Sequence, residues 1–148
     1  MSTIDAGRVI GVDLGAVRIG LAISNREQTV ASSLTILDRS GDLAGDHAAL
    51  ADIATSEEAV ALIVGVPTSL NGTQGPAAQA VLEEVEALRT VVAVPVETCD
   101  ERLTTVAATR ALREGGGRGR GRRRRRVDDV AAAMILQTWL DRRRGPNS

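Results

Sequence analysis

The sequence predicts an α/β fold built on a five-stranded mixed sheet, three antiparallel strands first, flanked by helices. Three observations predict it. The chain opens with three short β-branched runs, strand-length apolar runs then alternate with stretches of helical periodicity, and its 148 residues form one core-sized unit with no internal repeat. A single domain therefore spans residues 1–148.

The elements follow in order. Arg8 to Asp13 and Ile19 to Ser24 are rich in Val, Ile and Leu and are separated by a glycine-containing break, which predicts a hairpin; Val30 to Leu37 adds a third strand at its edge. From Asp42 to Ala59 the apolar positions Leu43, Leu50, Ile53 and Ala54 recur at helical spacing, predicting an amphipathic helix that carries the lone histidine, His47, as a solvated surface residue. Ala61 to Val66, ALIVGV, is a continuous apolar run of strand length, as expected of a strand buried on both faces. The turn-forming loop Thr68 to Gly75 leads into a helix from Pro76 to Arg89, with Ala80, Leu82, Val85 and Leu88 on one side. Val91 to Cys99 is the fifth strand, interrupted by Pro95, and Thr104 or Thr105 can cap a helix running to about Arg113. Residues 114–126, rich in glycine and arginine and without periodicity, are expected to be a flexible loop. A last amphipathic helix is expected to start at Asp128 or Asp129 and to end in arginines that suit its dipole.

Composition narrows the function. Trp139 is the only aromatic residue, so the core is aliphatic and base stacking on exposed Phe or Tyr is not available; contact with nucleic acid must rest on charge, backbone groups and shape. Every basic residue other than His47 is an arginine, and the net charge is only -1. The distribution is uneven: acidic residues dominate from Asp38 to Glu86, whereas Arg113 to Arg126 holds eight arginines and one glutamate. One cysteine, Cys99, no signal-like leader and no apolar run of membrane-spanning length together lead to the expectation of a cytoplasmic protein away from membranes.

Three carboxylates stand apart from solvated faces: Asp13 inside the first strand, Glu101 just past the fifth, and Asp128 at the start of the last helix. Alone, each has an ordinary explanation as a turn former, a surface charge or a helix cap. Together they suggest an oxygen-rich site for Mg²⁺ or Mn²⁺, because a carboxylate in a buried strand is costly unless paired or bound to a cation. Asp13 and Glu101 would converge if the fifth strand ran beside a central first strand, with the last helix bringing Asp128 alongside. Two such ions can position a water and stabilise a leaving oxygen in phosphodiester hydrolysis without a covalent nucleophile. Gly11, Gly15 and Gly20 are expected to keep the surroundings of Asp13 clear.

Four blocks, GVDLGAVRIGLAIS, VGVPTSLNGTQG, DERLTT at Asp100 to Thr105 and VDDVAAAMILQ, resemble in order and spacing the hallmarks of the YqgF (RuvX) family, RNase H-like Holliday junction resolvases also described as pre-16S rRNA nucleases. The resemblance covers nearly the whole chain. It implies an RNase H-like fold, a divalent-metal nuclease, and Asp13, Glu101 and Asp128 at the family's acidic positions, with Asp129 as a neighbour of the last. It also gives the arginine-rich segment a role: Arg122, Arg123, Arg124, Arg125 and Arg126 would grip the nucleic-acid backbone beside the ions, with Arg18 and Arg102 as secondary contacts or counter-charges. The partners implied are precursor rRNA or branched DNA, with small-subunit precursors among them, for a monomer or a homodimer. A competing reading is a ribosome-assembly factor that binds nucleic acid without cutting it. A third, an actin-like ATPase with GVDLG as phosphate loop, is opposed by a chain too short for two flanking domains.

Overall fold

The computed structural model describes residues 6–67, 75–101 and 120–144, without the side chains of 120–129 and 144. Its elements are β1 (Val9–Leu14), β2 (Arg18–Ser24), β3 (Ala31–Asp38), α1 (Leu43–Ser56), β4 (Ala61–Val66), α2 (Pro76–Arg89), β5 (Val96–Asp100) and α3 (Arg120–Arg144). The strand order is β3-β2-β1-β4-β5, with β1, β2 and β3 forming an antiparallel meander and β4 and β5 running parallel to β1.

Alternation along the central strands sends side chains to two separate cores. Ile10, Val12 and Leu14 of β1 join Leu62 and Val64 of β4 beneath α1 and α2, where Leu50, Val81, Val85 and Leu88 cover them. Val9 and Ile63 face the other way with Cys99, against Ala131, Ala132, Ile135, Leu136 and Leu140 of α3. Without aromatic bulk on this second face, α3 comes close to the sheet. An ideal Cβ on Gly11 would lie 2.7 Å from Leu136 Cβ and 2.9 Å from the Ala132 carbonyl oxygen. Gln137 fixes the helix lengthwise: its amide accepts from Ala31 N–H at 2.8 Å and donates to the Thr29 carbonyl at 3.0 Å.

Three expectations are corrected. The fifth strand starts at Val96, after Pro95, because proline cannot supply a ladder N–H; the Pro95 carbonyl instead accepts from Leu62 N–H at 2.9 Å. It lies beside β4, not β1. The last helix begins at Arg120, so the arginine run of 122–126 has a helical backbone in place of the expected loop; arginine has high helix propensity, and the absence of apolar periodicity does not oppose a helix. The helix expected to start at Thr104 or Thr105, and Gly115 to Gly119, lie outside the described residues. None of the described helices is long and apolar enough to cross a membrane.

Candidate active site

Asp13 points to the α3 side of β1, continuing the Val9 and Gly11 row. Its cross-strand partner on β2 is Gly20, and Gly65 occupies the same level of β4, one step beyond the Val12 and Val64 pair. Both neighbouring strands therefore carry no side chain at the level of this carboxylate. Directly after it the chain turns, with Gly15 N–H donating to the Asp13 carbonyl at 3.1 Å. A Cβ on Gly15 would come within 2.6 Å of the Arg18 carbonyl oxygen, so this turn admits no side chain there.

Glu101 follows the end of β5, two strands away from Asp13, and reaches back across β4. Gly65 makes this possible: an ideal Cβ there would lie 3.0 Å from Glu101 Oε2 and 2.5 Å from Ile135 Cδ1. Asp13 and Glu101 are 2% and 3% exposed, and both line a cavity of about 450 Å³ at the carboxyl ends of β1 and β4, where open α/β sheets commonly bind ligands. The sheet thus brings together two of the three predicted carboxylates, over a glycine rather than through adjacent strands. The sequence signal for Gly65 is a glycine inside an otherwise continuous buried strand.

The third, Asp128, is placed by its backbone alone. Ala132 lies over Gly11, and Gln137 lies over the start of β3, so α3 runs away from the Asp13 end of β1 as residue number rises. Residue 128 is one turn earlier, about 6 Å along the axis toward that end. The side chains of Asp128, Asp129 and Arg122 to Arg126, and all of Arg102, lie outside the described residues. Arg18 pairs with Asp38 across β2 and β3, Nε to Oδ1 3.6 Å, in register with it.

Buried carboxylates on one cavity form an all-oxygen donor set, which fits hard cations such as Mg²⁺ or Mn²⁺ better than zinc, whose sites usually include nitrogen or sulfur. A Cβ at Gly65 would crowd Glu101 Oε2, so the glycine leaves this carboxylate its place on the cavity. Among the described residues no group of three His, Cys, Asp or Glu side chains could hold a metal, and the two carboxylates are what these residues supply. Cys99 adds no chemistry: burial pushes its thiol up to about 11, so it stays protonated near neutral pH and serves as a packed core residue.

A second cluster, reaching the cavity wall through Arg39 and Glu84, has no local signature in the sequence. Arg39 binds Glu84 through both guanidinium nitrogens, at 2.7 and 2.9 Å, and His47 Nε2 lies 2.8 Å from Glu84 Oε2. His47 is 2% exposed, which corrects its expected place on a solvated face. Its acidic sequence neighbours suggest solvent, whereas its partner comes from α2, 37 positions away. Burial opposes ionisation of Glu84, and the hydrogen bonds from Arg39 and His47 outweigh it, holding the carboxyl below its ordinary 4.5. A group depressed in this way stabilises the fold fully above 4.5 and loses that contribution as pH falls through the folded value. Glu84→Gln is expected to cost ~2–3 kcal/mol at pH 7, because it leaves a half-buried guanidinium without its carboxylate. Urea unfolding at pH 7 and at pH 3.5 checks this: the gap to wild type narrows at the lower pH, and an unchanged gap contradicts it.

A family model described as "RuvX: Holliday junction resolvase" matches residues 7–142. A "Putative pre-16S rRNA nuclease" of Mycobacterium sp. (strain KMS) is 45% identical over 139 residues, covering 93% of this chain and 82% of the relative. One of the same name from Anaeromyxobacter dehalogenans is 43% identical over 136 residues, covering 92% and 98%. Among solved structures, T. thermophilus RuvC in complex with a Holliday junction substrate superimposes with a TM-score of 0.58 at 18% identity, covering 95% of this chain and 97% of that one. That likeness establishes the RNase H-like fold. The matched blocks, the sheet order and the paired buried carboxylates converge: the chain belongs to the RuvX family of nucleases.

Proposed function

We propose that this protein is a divalent-metal-dependent endonuclease that hydrolyses phosphodiester bonds in structured nucleic acid, at the 5′ end of precursor 16S rRNA, in Holliday junctions, or in both. The observation that carries the proposal is the burial of Asp13 and Glu101 on one cavity wall, with Gly65 between them. Two carboxylates on one cavity wall supply hard oxygen donors of the kind that such an ion takes.

In this reading Asp13 and Glu101 hold Mg²⁺ or Mn²⁺, and Asp128 completes the set from α3, with Asp129 as its neighbour. A pair of ions held there would supply an activated water and neutralise charge on the leaving oxygen. The chain provides the rest. Arg122 to Arg126, at the start of the helix that carries Asp128, neutralise backbone phosphates near the cut, and Arg102 and Arg18 are further contacts. Symmetric cutting of a four-way junction needs two such sites and hence a homodimer; trimming an rRNA end needs one. The setting is cytoplasmic ribosome assembly or recombination.

The test is incubation of purified protein with four-way DNA junctions and with precursor 16S rRNA, with Mg²⁺, with Mn²⁺ and with EDTA. Metal-dependent products from at least one substrate are expected. Binding without cutting on both favours the assembly factor. Replacing Arg122 to Arg126 by alanine is expected to weaken junction binding and to flatten the plot of log affinity against log salt by ~0.9 for each phosphate that is no longer neutralised. Unchanged affinity and slope would remove the arginine run from the interface.

A further inference from the structure

Building on the nuclease reading, we infer that Arg39 is a positioning residue for the metal site, one that fixes the turn following Asp13 and thereby the Asp13 carboxylate. The observation is a grip at several points. Arg39 N–H donates to the Val17 carbonyl at 2.9 Å, and Arg39 Nε donates to the Gly15 carbonyl at 2.9 Å. One residue therefore holds both sides of the β1–β2 turn. The far side of its guanidinium is fastened to α2 through the bidentate pair with Glu84, and His47 of α1 holds the same Glu84 oxygen that Arg39 uses at 2.7 Å. Turn, α1 and α2 converge on a single carboxylate.

The arrangement matters because of what the turn carries. Asp13 is two residues before Gly15, whose own N–H returns to the Asp13 carbonyl. Metal ligands must be held to within ~0.5 Å of productive geometry, and groups that brace a ligand commonly change metal affinity or activity by ~10–100-fold when removed. Arginine suits this task as lysine does not: its planar fork offers Nε to one partner and two parallel N–H bonds to another. The guanidinium also lines the cavity, yet its charge is matched by Glu84 and its side chain is only 15% exposed, so it is committed to the protein wall rather than to a phosphate.

The experiment uses the full chain with Arg39→Met and Arg39→Lys, alongside Asp13→Asn and the surface control Arg26→Ala. Mn²⁺ affinity is read by electron paramagnetic resonance on the protein alone. Substrate affinity is read in EDTA, and cleavage is measured on whichever substrate the wild type cuts. Arg39→Met is expected to weaken Mn²⁺ binding and to lower kcat by about 10-fold or more, with substrate affinity within twofold of wild type. Arg39→Lys, which keeps the charge but not the fork, is expected to fall between the two and guards against a Met variant that fails to fold. Mn²⁺ affinity and kcat within twofold of wild type, with only thermal stability lowered, overturn the inference. So does a loss confined to substrate affinity, which would make Arg39 a phosphate contact. A wild type that neither binds Mn²⁺ nor cuts refutes the nuclease reading itself, and that failure is distinct because Asp13→Asn then behaves as wild type does.

Discussion

Asp13→Asn is expected to lower the cleavage rate by about 10³-fold while leaving the fold in place. Asparagine matches aspartate in shape and keeps one carbonyl oxygen, so the glycine-flanked slot between Gly20 and Gly65 accepts it without displacement. What it removes is charge. Metal-borne charge stabilisation is worth several kcal/mol in a phosphodiester transition state, and each ~1.36 kcal/mol is a factor of ten in rate. Stability should move little in the absence of metal, because asparagine keeps the size and shape of the buried side chain. Single-turnover cleavage, Mn²⁺ titration and a thermal melt together check the point. A full rate in the variant would place the reaction elsewhere, and a collapsed melt would make Asp13 a structural residue.

The parts of this fold legible in the sequence are those written in local pattern. The β-branched runs of β1 and β2, the unbroken ALIVGV of β4 and the periodic apolar positions of α2 each state their own conformation, because burial selects residues at period 2 or 3.6 within a few positions. The carboxylate in β1 is legible as an anomaly for the same reason. Strand order is another matter. Nothing local to Val96–Asp100 says that it pairs with β4 rather than β1, so pattern alone leads Asp13 to Glu101 by the wrong route. The Arg39, Glu84 and His47 cluster is a purely tertiary object. Its members are ordinary polar residues of a strand exit and two helices, separated by up to 45 positions, and only folding reveals that Arg39 and Glu84 share a wall with Asp13 and that His47 joins them through Glu84. The arginine run shows the converse, a segment without apolar periodicity that a good helix former nevertheless extends as helix.

Gly11 and Gly65 supply the sharpest stability test, because they look alike in sequence and differ in what their missing side chains make room for. Gly11 is expected from sequence to clear space near Asp13, but the space is taken by α3. In Gly11→Ala the new methyl meets Leu136 Cβ at 2.7 Å and the Ala132 carbonyl at 2.9 Å, and a backbone atom cannot swing aside as a side-chain tip can. The helix must lift along its packed face, at an overpacking cost of ~1–3 kcal/mol, reduced by the ~0.4–1 kcal/mol that alanine gains by restricting the unfolded chain. For a chain of this length a net loss near ~1.3 kcal/mol lowers Tm by ~3–5 °C. Activity should fall with it, since in the proposed site the same helix supplies Asp128. Gly65→Ala presses instead on Ile135 Cδ1 and Glu101 Oε2, both ends of side chains, so its melt should shift less while its cleavage rate drops more, through a displaced Glu101. Melting curves and rates measured on the two variants decide the matter: equal losses in both properties would mean that Gly65 serves only helix packing, and that Glu101 does not depend on the gap in β4 to reach the site.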